Sequence, residues 1–226
     1  MGMSSKGEIE LLSNLARPEI AIITNIGESH LLDLGSREAI ADAKLEITSG
    51  LKKDGIMIYH GDEVLLSGKL KNGKWKSISF GRAESNDLYP RKIRSENTST
   101  AFTLNIHREE LNIPVLGNHN VLNAMAAIAA SLQLGVDWKD IQNGLSHLKL
   151  TNMRMEMVEG SNGERIINDA YNASPTAMRA AIELVSELTG FERKFLVLGD
   201  MLELGEEERD FHYSIGEFIN GEAIDK

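Results

Sequence analysis

Residues 20–30 read IAIITNIGESH, an apolar run that passes directly into polar and metal-binding residue types. A continuous apolar run such as Ile20–Ile23 is typical of a parallel strand that is covered on both faces. Loops at the carboxyl ends of such strands form the usual ligand crevice of α/β proteins. The stretch therefore predicts a buried strand that brings His30 to a binding site, although a single His in such a position is more often structural.

Helix and strand patterns alternate on both sides of this stretch. Ser36 has the chemistry of a helix N-cap, and the apolar spacing after it predicts a helix through about residue 51. The remaining patterns predict helices at 9–15, 62–70, 118–134 and 137–148, and a buried strand at 55–59. Residues 75–115 instead resemble antiparallel strands, in the segments KSISF, RKIRSE, TAFTLNIH and LNIPVL. The predicted fold class is α/β, with a mainly parallel sheet and an antiparallel section.

A domain boundary is predicted between residues 151 and 152, where the pattern starts again. It is followed by strand patterns at 155–158, 165–169 and 194–198 and helix patterns at 175–188 and 206–219. These elements open a second α/β unit, but they supply fewer strands than a three-layer parallel sheet needs. We therefore expect a chain that is truncated at its C-terminus.

The composition argues against several classes of function. A formal charge of −10 disfavours nucleic acid as a partner, while leaving room for a small anionic ligand held by backbone N–H groups or a metal ion. Without cysteine the chain has neither disulfides nor thiolate ligands. No apolar run approaches the roughly 18 residues that cross a bilayer, and Glu8 and Glu10 interrupt the one region that resembles a signal peptide. We expect a cytoplasmic protein with no membrane partner.

Lys44 shares the apolar face of the predicted helix with Ile40, Ala43 and Ile47. A lysine that faces a core must extend its amine to solvent, pair with an acid or lose its charge. Burial lowers the pKa of a lysine, and a neutral amine can add carbon dioxide and become a carbamate, an anion that binds metals. Both interpretations remain open from the sequence.

The segment LGNHNVLNAMAAIAA, residues 116–130, carries Asn120 and Asn123 on one side of a helix. An amide offers both the donor and the acceptor that recognition of a purine edge requires. The pattern alone nevertheless favours helix capping, which is common for Asn near an N-terminus. His119 is equally consistent with a surface position in the first turn.

The segment IINDAYNASPTAM, residues 166–178, places Asp169, Tyr171 and Asn172 in a loop between a strand and a helix. A carboxylate there can bind ribose hydroxyls, or it can satisfy its own turn through local hydrogen bonds. The next strand pattern ends in the same way at Asp200. His212 lacks such a context and is interpreted as a surface residue of the last helix.

These segments, with residues 1–47 and LGDMLELG at 198–205, resemble the Mur ligases, the ATP-dependent amide-forming enzymes of peptidoglycan precursor synthesis. They occur in the family's order and span nearly the whole chain. The resemblance implies the C-terminal portion of the family's central ATP-binding domain at 1–151, then the first part of its Rossmann-like C-terminal domain at 152–226. Ser174 stands where the family usually has Asn, and it can still cap the helix.

The resemblance also implies parts that this sequence does not contain. A phosphate loop of the form G-x-x-x-x-G-K-[ST] is absent. In the family this loop, a UDP-sugar domain and a magnesium-binding glutamate all precede the MGM segment. We therefore expect a fragment of a ligase, without ligase activity of its own.

The resemblance implies ATP and Mg²⁺ as cofactors and a role for each candidate residue. His30 would ligate a magnesium ion, and Lys44, as its carbamate, would hold a second one or orient the acyl-phosphate. Asn120 and Asn123 would lie against the nucleotide base, with Asn123 the better candidate. The other residues would reach the nucleotide from the C-terminal domain: Arg154, Asp169, Tyr171 and Asn172.

The implied substrates are UDP-N-acetylmuramoyl-tripeptide and D-alanyl-D-alanine, joined through an acyl-phosphate by a monomer without a nucleic-acid partner. One alternative is a non-catalytic module that keeps a nucleotide- or partner-binding surface. Another is a ligase of the folylpolyglutamate synthetase type, which shares the ATPase machinery but fits NIGESH and DAYNASPTAM less well.

Overall fold

The computed structural model describes residues 1–71, 73–96, 98–149, 151–219, 221 and 223–225. In its first part, β1 (Ile20–Ile23), β2 (Ile56–His60) and β3 (Lys76–Phe80) form a three-stranded parallel sheet in that order. Four helices accompany this sheet: α1 (Glu8–Ala16), α2 (Leu31–Leu34), α3 (Arg37–Leu45) and α4 (Val64–Leu70). Side chains of β1 pack alternately into two apolar clusters, so both faces of the strand are covered as predicted.

An antiparallel sheet follows, formed by β4 (Pro90–Ser95), β5 (Thr100–Leu104) and β6 (His107–Ile113). It shares an apolar cluster with α5 (Asn118–Gln133) and α6 (Trp138–Ser146). The helical spacing that predicted α5 is confirmed, because the following side chains on one face are buried: Val121, Ala124, Met125 and Ile128.

The second part begins with β7 (Glu156–Glu159) and β8 (Arg165–Asn168), which pair antiparallel. Helices α7 (Pro175–Glu187) and α8 (Glu208–Phe218) pack around a small apolar cluster. The buried members of that cluster are Met178, Ile182, Met201, Leu204, Ile215 and Ile224. The predicted α/β class, with parallel and antiparallel sheets, is confirmed.

Two strand predictions between residues 75 and 115 need correction. KSISF is β3 and runs parallel to β2, because α4 carries the chain back over the sheet before β3 begins. TAFTLNIH is two strands and not one, since the chain reverses between Leu104 and His107, which pair with each other. A turn within an alternating pattern leaves the alternation largely intact, so the sequence pattern did not indicate where the chain turns.

The predicted helix from residue 37 to about residue 51 is shorter than expected. It ends at Leu45 and continues as a 3₁₀ turn, Glu46–Thr48. The Glu46 carboxylate accepts a hydrogen bond at 2.8 Å from the backbone N–H of Gly7, a contact 39 residues away in sequence. The helix α2 before it was not predicted, because its four residues are too few to show a helical period.

The predicted strand at 194–198 is wrong. These residues, all of them described, form no strand, and Val197 is 98% exposed. A strand needs a hydrogen-bonded neighbour, and residue 194 instead pairs through its backbone with Asp225. Across the described residues, no helix combines the length and the apolar character needed to span a membrane.

Candidate functional site

Lys44 lies in the last turn of α3 and reaches the loop that follows β1. Its Nζ donates a hydrogen bond at 3.0 Å to the backbone carbonyl of Asn25. The side chain is half-buried, next to the buried Ile40 and Ala43 of the predicted apolar face. Burial holds the pKa of Lys44 below its ordinary value, and the carboxylate of Glu63 partly offsets this effect. The amine is therefore closer to its neutral form than that of an exposed lysine.

An ion pair that sequence reasoning missed lies beside this amine. The Arg37 guanidinium donates to the carbonyl of Ile26 and to the carboxylate of Glu63, both at 2.8 Å. Glu63 also caps α4, accepting from the N–H of Leu65 at 3.2 Å. Glu63 falls in the first turn of the predicted helix at 62–70, but its nearness to Lys44 was not readable, because it depends on how α3 and α4 pack.

His30 follows β1 at the edge where the parallel strands end. Its backbone has φ of 66°, in the left-handed region that non-glycine residues rarely adopt. Among the described residues its Nδ1 is buried and has no hydrogen-bond partner. Nδ1 lies 3.4 Å from a carboxylate oxygen of Glu203 and 3.8 Å from one of Asp33.

These three side chains offer a donor set for a divalent cation. Their ligand atoms all lie within 4.8 Å of one another. Mg²⁺ is usually held by one or two carboxylates together with several waters, so the two carboxylates fit the ion that the family resemblance implies. The imidazole nitrogen is a ligand type that Zn²⁺ or iron binds more readily than Mg²⁺ does. Asp33 was readable from its i+3 spacing to His30, whereas nothing in the sequence indicated Glu203.

The two amides of α5 have different environments. Asn120 is buried, and its Nδ2 donates at 2.7 Å to the carbonyl of Leu116, so its amide has a structural contact, but it does not cap a free N–H of the helix. Asn123 is exposed, and no described residue forms a hydrogen bond with its side chain. Asn123 therefore keeps both its donor and its acceptor available for a ligand.

His119 is half-buried, which the sequence did not predict. Burial lowers the pKa of His119, and the nearby Asp169 carboxylate opposes this shift. The ring lines a cavity of about 160 Å³ between the start of α5 and one side of α7. The cavity walls include Arg82, Leu122 and Glu183. Arg82 and Leu122 of the first part thus line one cavity with Glu183 of the second part, beside α5, the helix that carries Asn123.

The structure brings Arg154, Asp169 and Tyr171 together. The guanidinium carbon of Arg154 lies 4.2 Å from the centre of the Tyr171 ring, a cation–π distance. The carboxylate of Asp169 accepts from the N–H of Met155 at 3.1 Å, and this contact joins the ends of β7 and β8. Asn172 is exposed, and its side-chain oxygen Oδ1 accepts from the N–H of Ala173 at 3.0 Å.

His212 has a partner that its sequence context did not suggest. Its Nε2 lies 2.7 Å from the Asp200 carboxylate, and its Nδ1 lies 2.8 Å from the carbonyl of Glu208. The hydrogen bond to Glu208, aided by Asp200, raises the pKa of His212 above its ordinary value. This pair fixes the loop at Gly199–Asp200 to α8, which is a structural role.

The two parts of the chain also meet next to His30. Glu28, two residues before His30, accepts hydrogen bonds from Thr176 of α7. The N–H of Leu32 donates to the carbonyl of Glu203 at 2.9 Å. The structure records no hydrogen bond between the described side chains of His30 and Lys44, so their convergence on one cation stays a prediction.

Comparison with known protein families gives a match for each part of the chain. The Mur ligase middle domain matches residues 1–131. The Mur ligase glutamate ligase domain matches residues 153–226.

Curated relatives match the whole chain. It is 52% identical over 226 residues to UDP-N-acetylmuramoyl-tripeptide–D-alanyl-D-alanine ligase of Bacillus subtilis, covering 100% of this chain and 49% of that protein. The ligase of the same name from Escherichia coli is 34% identical over 230 residues, covering 100% of this chain and 50% of that protein. The chain spans about half the length of the curated relatives it matches.

Solved structures show the same likeness. MurF from Acinetobacter baumannii has a TM-score of 0.86 and 31% identity, over 96% of this chain and 47% of that one. MurF ligase from Thermotoga maritima in complex with ADP has a TM-score of 0.85 and 30% identity, over 95% of this chain and 49% of that one. A mutant of L. casei FPGS, with a TM-score of 0.66 and 17% identity over 92% of this chain and 50% of that one, shares the fold alone.

Proposed function

The chain belongs to the Mur ligase family, and we propose that it is part of an ATP-dependent ligase that joins D-alanyl-D-alanine to UDP-N-acetylmuramoyl-tripeptide. The observation that carries the proposal is its likeness, over its full length, to curated ligases of that name. The folylpolyglutamate synthetase alternative has less support, because that likeness is limited to the fold. The proposed reaction belongs to peptidoglycan precursor synthesis.

The reaction has two steps. A carboxylate of the tripeptide attacks the γ-phosphorus of ATP, which gives an acyl-phosphate and releases ADP. The amine of D-alanyl-D-alanine then attacks the acyl carbon, phosphate leaves, and the amine gives up a proton as the amide bond forms. Most of the catalysis consists of positioning and charge neutralisation, as in other phosphoryl transfers.

We assign the cation-binding role to His30 with Asp33 and Glu203, whose donor atoms lie close together. When bound, Mg²⁺ would supply charge neutralisation at the phosphates. Lys44, held by the carbonyl of Asn25, would approach the same edge as a carbamate, which its lowered pKa favours.

We assign the nucleotide-binding role to residues from both parts of the chain. Asn123 offers an exposed amide for the base, while Asn120 supports the start of the same helix. Tyr171, stacked by Arg154, offers an exposed aromatic face, and Asp169 offers a carboxylate for ribose hydroxyls. Asn172 would complete this wall. Localisation in the cytoplasm, a monomeric state and the lack of nucleic-acid and membrane partners stay predictions.

The test is a chimaera in which this chain replaces the matching half of the Bacillus subtilis ligase. We expect it to form the D-alanyl-D-alanine amide from UDP-N-acetylmuramoyl-tripeptide, ATP and Mg²⁺, measured as product by mass spectrometry. Lys44→Ala should lower the turnover by about 100-fold or more, as losses of one electrostatic group in an active site do. The matched control, Lys139→Ala on the exposed side of α6, should change turnover by less than about twofold.

The isolated chain should show no substrate-dependent phosphate release, since its sequence has no phosphate loop. A folded chimaera that binds Mg-ATP but forms no amide would contradict the proposal and favour the non-catalytic module.

A further inference from the structure

Glu28 is a buried carboxylate, and the hydrogen bonds that described residues donate to it come from the other part of the chain. It is 9% exposed. The N–H of Thr176 donates to one of its oxygens at 3.3 Å, and the Thr176 hydroxyl lies 2.9 Å and 3.0 Å from the two oxygens. The two residues are 148 positions apart in sequence.

The chemistry at the other end of this contact suits a carboxylate. Thr176 is the second residue of α7, after the cap Ser174 and Pro175. The first N–H groups of a helix lack partners within it, and the helix dipole places partial positive charge there. Ser174 already satisfies the N–H of Ala177, and Glu28 satisfies the N–H of Thr176. An ionised acceptor makes such hydrogen bonds stronger than neutral ones.

Polar contacts matter here because the two parts share no apolar cluster. Each of the three buried clusters among the described residues draws its members from one side of residue 151. An interface without a common core allows relative movement of the parts. Its geometry therefore depends on polar contacts such as those of Glu28 with Thr176 and of Glu203 with Leu32 and His30.

We propose that Glu28 is a positioning residue that caps α7 and thereby holds the second part of the chain against the loop after β1. The proposal rests on the proposed function, because the contact sets the distance from His30 to the nucleotide-binding residues that precede α7. When the parts separate, water hydrates the Glu28 carboxylate and the N–H of Thr176. Separation therefore leaves no charge buried without a partner. The contact can therefore break and form again reversibly.

The chain has no cysteine, which allows a direct distance measurement. Glu109→Cys on β6 and Glu217→Cys on α8 place two spin labels at exposed positions, one in each part. Pulsed electron spin resonance without nucleotide should give one narrow distance for the labelled parent. Glu28→Gln and Thr176→Val should each raise the ratio of separated to closed molecules by about tenfold, as the loss of a charge-assisted hydrogen bond does.

Three variants distinguish positioning from general destabilisation. Thr176→Ser keeps the hydroxyl and should retain the narrow distance, and the exposed Glu84→Gln should do the same. The double variant Glu28→Gln/Thr176→Val should separate no further than either single one, because the two changes remove the same contact. The urea concentration at the midpoint of unfolding should be the same in all of these variants as in the parent, for both parts of the chain.

A broad distance distribution in the parent would overturn the proposal. A narrow distance distribution that stays unchanged in both Glu28→Gln and Thr176→Val would overturn it as well. Because the measurement uses no substrate, its result is independent of whether the chimaera forms an amide. In an active chimaera, Glu28→Gln should raise the KM for ATP several-fold, and an unchanged KM would show that the contact does not serve nucleotide binding.

Discussion

At Lys44 two effects compete for the charge of one amine. Burial against the apolar face of α3 favours the neutral form, whereas the carboxylate of Glu63 favours the ammonium. Burial is the larger effect, so the pKa of Lys44 is lowered. The sequence could not decide between an amine that reaches solvent and one that is carbamylated. The structure shows that the amine donates to a backbone carbonyl of the candidate site, and both interpretations stay predictions.

Carbamylation of Lys44 can be measured directly. Only a neutral amine adds carbon dioxide, losing one proton as the N–C bond forms, so a lowered pKa should make Lys44 react at a lower pH than exposed lysines. We expect a carbamate signal in ¹³C NMR with labelled bicarbonate that appears at a lower pH than the signals of exposed lysines. Lys44→Arg should abolish this signal, and Lys139→Arg should leave it intact. A signal that survives in Lys44→Arg would assign the adduct to another amine.

At the scale of the elements, α1 and the 3₁₀ turn Glu46–Thr48 approach each other closely. Ser13 of α1 is fully buried, its hydroxyl donates to the carbonyl of Ile47 at 2.5 Å, and it accepts from the N–H of Gly50 at 3.1 Å. A Cβ at Gly50 would overlap the backbone of Ser13. This close approach explains why the chain has glycine where α3 and its 3₁₀ extension turn towards β2.

The same substitution at two glycines should therefore have opposite effects. Gly50→Ala should lower the free energy of unfolding by about 1–3 kcal/mol, because backbone must move to admit the methyl group. Gly68→Ala, on the exposed side of α4 with no atom near its Cβ position, should raise it by roughly 0.5–1 kcal/mol, since alanine favours helix. Urea unfolding followed by tryptophan fluorescence compares the two. Equal effects would mean that the Gly50 contact is not tight in solution.

At the scale of the whole molecule, the two parts have separate cores and should unfold separately. The chain has two tryptophans, Trp75 and Trp138, and both pack against clusters of the first part. Tryptophan fluorescence therefore reports only on the first part, whereas far-ultraviolet circular dichroism reports on both.

Ile182→Ala should separate these two signals. Ile182 is 1% exposed within the small cluster of the second part, and its truncation should cost that part about 2–5 kcal/mol. We expect part of the circular dichroism signal to be lost at a lower urea concentration than in the parent. The midpoint of the fluorescence transition should not change. The matched variant Ile128→Ala, 1% exposed in the first part, should shift the fluorescence transition. A fluorescence shift in Ile182→Ala would show that the parts unfold as one cooperative unit.

The sequence by itself determined the features that depend on neighbouring residues. The apolar run Ile20–Ile23 specified a covered strand, the cap Ser36 began α3, and the spacing of Val121, Ala124 and Ile128 specified α5. These predictions succeeded because helix and strand periods, caps and burial on one face are written in a few consecutive residues. The long segments that resemble Mur ligases likewise sufficed to identify the family.

Tertiary structure alone decided what depends on distant parts of the chain. It placed Glu203 beside His30, Thr176 on Glu28 and Glu63 near Lys44. It also paired KSISF with a parallel neighbour and left residues 194–198 without one. Strand pairing, buried polar contacts and pKa shifts arise from groups that packing brings together across many positions, and no local pattern encodes which groups will meet.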